Sequence, residues 1–560
     1  MQYHMCITQI INRSKRILFS IINKNSFYSI MDKPIVTVKQ GKLQGIFEEN
    51  VLGSRYIAFK GIPFAAPPVG KLRFKDPEPP AAWAGVRDAS RNAGSECIQL
   101  TSLPNPTLIG SEDCLYLNVF IPENIYGTKR NPVMVWVHGG GYFVGSGNDT
   151  DKRPDYLLAK GVILVSINYR LGALGFLNLD HEIASGNQGL KDQAAALKWI
   201  KENIETFGGD SNNITVFGIS AGSSSTHLLM LSPLSKGLFH KAILQSGIAT
   251  CNWAVLKNKP EDNGFRLASL LGNDSKDPEK VVEFLQTVPA SEIVATQYKI
   301  FDLEQRIINI PFRPTIDEKA KTPFLPRPIS QLLHDDNDIP IMLGSTSYEY
   351  IMFLKDTSEN TLKTQYEDLP RKIQTLTDSE DPQKIMQLTE RAKQWYLNNK
   401  PFTEENIPSL LRLLSDIYFD IAIKTFTDKR RKRKQAPAYL YKFSYIGNEM
   451  TTTRLNGNKL ALCGASHTDE LSYLFYIPKC KVNDPKPPAV NSKDRKILEI
   501  LTTMWSNFAK TGNPTPAFDQ HINTIWPPAT ADAFNCLDIG DTLQVLTVTD
   551  YDYILRDSTL

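Results

Sequence analysis

Short apolar runs rich in β-branched residues recur along the chain. They are Pro132–Val137 (PVMVWV), Gly161–Tyr169 (GVILVSINY), Asn213–Ile219 (NITVFGI), Lys241–Ser246 (KAILQS), Ile339–Gly344 (IPIMLG) and Pro437–Tyr445 (PAYLYKFSY). Runs without polar alternation predict strands covered on both faces. Between the second and third lies LKDQAAALKWIKENIETFGGD, where Leu190, Ala194, Leu197, Ile200 and Ile204 recur near helical spacing and Gly208–Gly209 end the pattern. Strand, helix and strand joined by a right-handed crossover build a parallel sheet. The pattern therefore predicts an α/β protein with a large, mostly parallel central sheet flanked by helices. A chain of 560 residues has room for several average domains. It shows no long Gly/Ser linker and no internal repeat, so a single domain is expected over residues 31–560.

Residues 1–30 differ from the rest. They carry Arg13, Lys15, Arg16 and Lys24, with no acidic residue before Asp32, and the apolar stretch Ile17–Ile22 is short and interrupted by Ser20. A secretory leader needs about 7–15 apolar residues and a small-residue cleavage site, and neither is clear. Three readings stay open: an unstructured extension ahead of a true start at Met31, a mitochondrial presequence, and a secretory segment. A cytoplasmic location is the expectation, with mitochondrial and secreted alternatives that turn on whether this segment targets the chain. No later window approaches the roughly 18 apolar residues of a membrane span. The C-terminal DSTL matches neither the KDEL nor the SKL address. Sequons at Asn12, Asn148, Asn213 and Asn273 matter only on the secretory route.

Composition adds exclusions. Hydrophobic content of 41%, charged content of 22% and net charge +3 are ordinary for a globular protein and give no argument for nucleic acid or a membrane surface as partner. The basic run Lys429–Lys434 (KRRKRK) reads as the solvated end of a helix leading into the strand at 437–445, in preference to a nuclear or anionic-surface signal. Seven cysteines are too sparse for a disulfide scaffold. Cys97 and Cys114 bracket a loop rich in Pro, Ser and Thr and could pair, although a reducing cytosol would keep them as thiols. Cys6, Cys251, Cys463, Cys480 and Cys536 lack metal-like spacing and read as small buried hydrophobes, so no metal site and no cofactor are expected.

Two motifs carry chemistry. The strand at 213–219 runs into Gly218-Ile219-Ser220-Ala221-Gly222 ahead of a small-residue helix start. G-x-S-x-G between a buried strand and a helix is a nucleophile elbow, whose glycines permit the tight turn that lifts a serine hydroxyl clear of the sheet. The strand at 132–137 ends in His138-Gly139-Gly140-Gly141-Tyr142. Three glycines in a row let a backbone turn its amides toward a ligand, as an oxyanion hole for acyl transfer requires. A serine needs a base and an orienting acid, in the chain order serine, acid, histidine. The histidines after the elbow are His227, His240, His334, His467 and His521. His467, after a Gly–Ala–Ser turn, suits a catalytic loop best, and Glu349, just past the strand at 339–344, suits the acid.

The chain resembles the type-B carboxylesterases, the cholinesterase-like branch of the α/β-hydrolases, from about Val36 to Leu555. The resemblance rests on FKGIPFAAPPVGKLRF, SEDCLYLNVF, VWVHGGGY, VSINYRLGALGFL, GNQGLKDQAAALKWIKENIETFGGD, VFGISAG, ILQSG, GSTSYE, GASHTDELSYLF and MWSNFAKTGNP, in that order. It implies the α/β-hydrolase fold, with Ser220 as nucleophile, Glu349 as acid and His467 as base. It also implies oxyanion donors at Gly140, Gly141 and Ala221, a supporting serine at Ser246, and a disulfide between Cys97 and Cys114.

The departures narrow the branch. Cholinesterases place a glutamate before the nucleophile and a tryptophan in the first disulfide loop. Here Ile219 precedes Ser220, and the 97–114 loop has no tryptophan to hold a quaternary ammonium. Juvenile hormone esterases typically show glutamine before the serine and carry a secretory leader, and neither is seen. VTVKQGKLQG and the loop around His467 look most similar to insect general carboxylesterases. Adhesion proteins on this fold usually lose a triad member, whereas all three are present here. The resemblance thus implies a serine carboxylesterase acting on small-molecule esters, with broad xenobiotic or lipid-ester detoxification as its task. The alternatives are a slow-turnover protein that sequesters esters and organophosphates, or a juvenile hormone esterase-like enzyme.

Overall fold

The runs that lack polar alternation form the middle of one large twisted sheet. In the computed structural model, residues 33–548 are described apart from 92–93, 102–105, 258, 301–309, 335–337 and 355. The 1–30 extension with Cys6 and Asn12, and the C-terminal DSTL, lie outside the described residues.

In chain order the strands of this sheet are β1 (Ile46–Glu49), β2 (Arg55–Pro63), β3 (Tyr116–Pro122), β4 (Asn131–Val137), β5 (Ile163–Ile167) and β6 (Gly209–Ile219). They continue with β7 (Lys241–Gln245), β8 (Ile341–Thr346), β9 (Ala438–Phe443), β10 (Asn535–Ile539) and β11 (Leu543–Thr547). Their spatial order is β11-β10-β9-β8-β7-β6-β4-β5-β3-β2-β1. Pairing is parallel from β5 through β4, β6, β7, β8 and β9 to β10, and antiparallel at both margins. The parallel centre matches the expectation from the apolar runs, and every run named above overlaps one of these strands. A small separate sheet pairs Ile35–Val38, Gly41–Gln44 and Val86–Asp88.

Burial explains why the central strands read as continuous apolar runs. On β4, Val133, Val135 and Val137 face one core, while Met134 and Trp136 face the other. On β6, Ile214 and Val216 go to the first core, and Phe217 and Ile219 to the second. With both faces covered, each position sheds water, at roughly 25 cal/mol per Å² of apolar area. Helix α1 (Gln188–Asn203) covers the first face with Leu190, Leu197 and Ile200 and ends through a short 3-10 turn at Gly208, whose φ of 83° only glycine adopts freely. Helix α2 (Ala221–Leu231), wholly buried, follows β6 directly.

Further along, α3 (Ile407–Ser415), a π-helical segment (Asp416–Asp420) and α4 (Ile421–Lys432) form one continuous rod. Helix α5 (Lys493–Thr511) closes the second face with Leu498, Leu501 and Trp505. No helix among the described residues is long and apolar enough to cross a membrane.

Several expectations are refined by these contacts. Cys97 and Cys114 form a disulfide. Cys251, Cys480 and Cys536 are buried, as expected, but Cys463 is exposed, because its short loop lies at the surface. The basic run does close α4 ahead of β9, yet it is not uniformly solvated. Arg430 is buried and donates to the Ile339 carbonyl, and Arg431 donates to the carbonyls of Thr530 and Ala531.

Candidate active site

The turn after β6 is built by close approach. Ser220 takes φ 58° and ψ −124°, outside the comfortable range of a non-glycine residue, and its N–H donates to the Gln245 carbonyl at the end of β7 (2.8 Å). The flanking glycines make room for it. A Cβ on Gly218 would lie 2.6 Å from the Val137 carbonyl oxygen, and one on Gly222 only 2.2 Å from the same atom. Strand β4 can therefore end against the elbow only if both positions lack a side chain. The hydroxyl-bearing residue sits at the N-terminus of α2, with the dipole and free amides of that helix behind it.

Strand β8 delivers Glu349 three residues past its end. Its side chain has no exposed surface. Three donors converge on it: the Ser246 hydroxyl on Oε1 (2.6 Å), the Thr346 N–H on the same oxygen (2.6 Å), and His467 Nδ1 on Oε2. Ser246 directly follows Gln245, so two consecutive residues hold the serine turn and the acid. The loop bearing His467 is laced to the acid loop. Tyr348 N–H donates to the Ala465 carbonyl (2.9 Å), and Ala465 N–H donates to the Ser347 hydroxyl (2.9 Å). His467 is 2% exposed, and its ring packs against Phe353 and Phe419, with centroids 5.5 and 5.2 Å away. Ser220, Ser246 and Thr468 all have positive φ, a concentration of backbone strain that surrounding contacts must hold in place.

The glycine loop lies beside the elbow. A Cβ on Gly139 would come within 3.2 Å of Ser220 Cβ. Gly140 and Gly141 adopt φ of 114° and 62°, and a Cβ on Gly140 would strike the Val144 carbonyl oxygen at 2.0 Å. Their N–H groups meet no acceptor among the described residues, and Ala221 N–H opens α2 outside the intrahelical ladder. Gly139 thus lies beside Ser220, and the amides of Gly140, Gly141 and Ala221 that flank this approach have no internal partner among the described residues. Behind them, His138 stacks on Tyr169 (4.4 Å) and sets Nδ1 2.8 Å from the Gly139 carbonyl oxygen. Burial pushes its pKa down to about 4, so a neutral ring donates there and braces the loop.

Of the residues selected from the sequence, Glu349, His467 and Ser246 are joined by hydrogen bonds, and Ser220 is held by Gln245 next to Ser246. Gly140, Gly141 and Ala221 flank the approach of Gly139 to Ser220, while no hydrogen bond among the described residues joins Ser220 to His467. Of the rejected histidines, His227 is buried on α2, where its Nδ1 accepts from the Ala249 N–H, and His240 accepts from the Ile214 N–H. His334 meets Arg433 on the surface, and His521 caps an exposed turn through its backbone. Sequence reasoning missed Phe353, Phe419 and Trp253, the last of which donates its indole N–H to the Tyr418 carbonyl (2.9 Å) and packs on Phe419. Phe353 stands four residues after the acid, which is the one signal that pointed to it.

The model of the carboxylesterase family matches residues 32–553. Esterase E4 of Myzus persicae is 35% identical over 511 residues, covering 89% of this chain and 89% of that protein. Juvenile hormone esterase of Tribolium castaneum is 36% identical over 528 residues, covering 88% and 85%. The crystal structure of juvenile hormone esterase from Manduca sexta, with OTFP covalently attached, superposes with a TM-score of 0.81 at 28% identity, covering 94% of this chain and 98% of that one.

A second buried carboxyl stands near the first. Glu470 has no exposed surface; its Oε1 accepts from Gln245 Nε2 (3.2 Å), and the same Gln245 side chain accepts from the Trp505 indole (3.2 Å). Burial, and then the charge of Glu349, push its pKa up to about 8. Between its unfolded value near 4.5 and about 8, the folded chain holds a proton that the unfolded chain releases. This stability is fully present below the lower value and is lost as pH rises through the upper one. The urea midpoint should therefore fall between pH 5 and 8.5, and fall less steeply in Glu470→Gln. Superimposable pH profiles for the two proteins would refute the assignment.

Proposed function

The chain belongs to the carboxylesterase family, and we propose that Ser220, Glu349 and His467 are the triad with which this serine carboxylesterase works. The observation that carries this reading is the fully buried Glu349 carboxylate fastened to His467 beside a strained serine turn. Ser220 Oγ attacks the ester carbonyl while His467 Nε2 takes the hydroxyl proton. Glu349 holds the ring by Nδ1 and stabilises the imidazolium. The carbonyl oxygen becomes an oxyanion between the N–H groups of Gly140, Gly141 and Ala221; losing one such donor costs about 10²–10³ in rate. The C–O bond to the alcohol then breaks, and the proton on His467 leaves with the alcohol. Water attacks the acyl-enzyme, giving a proton to His467, which passes it to Ser220 Oγ as the acid departs. The covalently attached OTFP in the Manduca relative supports a route through a bond to protein.

Broad xenobiotic and lipid esters are the proposed substrates, as the resemblance to insect general carboxylesterases implies, and the likeness to Esterase E4 supports ester hydrolysis. A narrower juvenile hormone esterase activity is favoured by the 36% identity to the Tribolium enzyme. A p-nitrophenyl acetate-to-octanoate series separates them by chain-length profile, and turnover per titrated site separates either from a sequestering protein. Ser220→Ala should lose at least about a thousandfold in kcat while staying folded. Hydrolysis that survives the substitution would overturn the triad.

Two further features support a secretory-route location. The Cys97–Cys114 disulfide supports an oxidising compartment over the cytosol. Of the described sequons, Asn148 is buried, and Asn213 accepts from Lys241 and donates to the Lys510 carbonyl. Asn273 lies in the loop between the helices Pro260–Leu270 and Pro278–Thr287, its side-chain oxygen accepting from Ser275 N–H (2.9 Å), beside a Gly272 that faces open space. The full chain expressed in insect cells should lose mass on N-glycosidase treatment, with Asn273 converted to Asp. An unmodified Asn273 would return the enzyme to the cytoplasmic reading.

A further inference from the structure

A lysine stands inside an otherwise apolar strand, where nothing in the reaction above uses it. Lys442 lies on β9, and its side chain is 22% exposed. Its ammonium has three donors, and all three are engaged: the Ser345 hydroxyl (3.0 Å), the Thr346 carbonyl (3.1 Å) and the Asp420 carboxylate. Asp420, 5% exposed, also accepts from the Ser345 hydroxyl, so lysine, serine and aspartate close a ring. The three members come from three elements: β9, β8 and the π-helical segment.

Each anchored element carries something the triad needs. On β8, Ser345 and Thr346 immediately precede the turn that presents Glu349, and the Thr346 N–H is one of the three donors on its carboxylate. In the π-helical segment, Phe419 is the neighbour of Asp420, and its ring lies 5.2 Å from that of His467. One extra residue per turn is an uncommon helix geometry that recurs at functional sites and needs local support. Asp420 ends that segment and is held from the sheet.

We propose that the Lys442–Asp420 ion pair, closed through Ser345, is a positioning device for the triad. It fixes the Thr346 amide that holds Glu349 and, through the π-helical segment, the Phe419 face against which His467 rests. The pair touches no substrate atom and acts through Glu349 and His467. The proposal rests on the triad assigned above.

The test uses p-nitrophenyl acetate and the full-length enzyme in four variants, Lys442→Met, Lys442→Arg, Asp420→Asn and Ser220→Ala, each checked for native circular dichroism. A small misplacement of reacting groups costs up to about 10²-fold in rate. Lys442→Met should accordingly lower kcat about tenfold or more with KM within about twofold, the pattern of an interaction realised in the transition state. Lys442→Arg, which keeps a cation with several donors, should recover kcat to within about threefold. If Lys442→Met does not fold, Asp420→Asn decides, since it keeps an oxygen for Ser345 and removes the charge. It too should lose kcat at constant KM. Parental kcat in folded Lys442→Met or Asp420→Asn, an equal change in KM, or an arginine variant as impaired as the methionine variant would overturn the proposal. Activity surviving Ser220→Ala would instead remove the triad reading beneath it.

Discussion

A carboxylate with no exposed surface has to be held on every side, and the organisation of this protein around its site follows from that requirement. Burying an unpaired carboxylate would cost many kcal/mol, so donors must stand where water stood. Glu349 receives them from three separate places: the end of β7 through Ser246, the end of β8 through Thr346, and the loop after Leu462 through His467. Those segments are far apart in sequence and meet only because β7, β8 and β9 are adjacent parallel strands whose C-terminal ends share one edge. The sheet gathers the donors, the donors permit the buried charge, and the charge orients the imidazole.

The serine side of the site obeys a steric constraint instead. Strand β4 ends so close to the elbow that Gly218 and Gly222 admit no side chain, and Gly140 turns at a φ that favours glycine. That proximity sets the unpartnered amides of Gly140 and Gly141 next to the serine. Rigid packing behind the turn keeps it strained: a Cβ on Gly247 would already lie 2.7 Å from the Ser220 carbonyl oxygen and 2.8 Å from the Trp253 ring. Substrate charge is thus met by dipoles already in place, which is the condition under which such donors are most effective.

The central sheet was legible because strands covered on both faces shed most polar residues, leaving runs such as PVMVWV. The exposed marginal strands β1 and β11 were not legible because exposure mixes polar residues into short segments such as IFEE and LQVLT. Strands β2, β3 and β10, mostly buried, were missed because Lys60, Asn118 and Asp538 interrupt their apolar runs. The elbow and the glycine loop were legible because steric exclusion writes itself as glycine. Glu349 and His467 were legible only up to a choice among candidates, and the resemblance made that choice, because their contact joins residues 118 positions apart. The π-helical segment left no trace, as one added residue in a rod of helix does not disturb a short apolar pattern. Lys442 did leave one: a charge in the middle of YLYKF is out of place in a strand buried on both faces. Reading it needed Asp420, 22 positions earlier, brought beside it by the fold.

The central claim is that one serine, Ser220, becomes covalently bonded to the acyl group. The most direct measurement is peptide mapping by mass spectrometry after treatment with a paraoxon-type organophosphate, which forms a stable adduct on an activated serine. One adduct per chain, located on Ser220 and missing when His467 is replaced by alanine, is the predicted result. An unlabelled Ser220 in folded protein, or an adduct at another residue, would contradict the account.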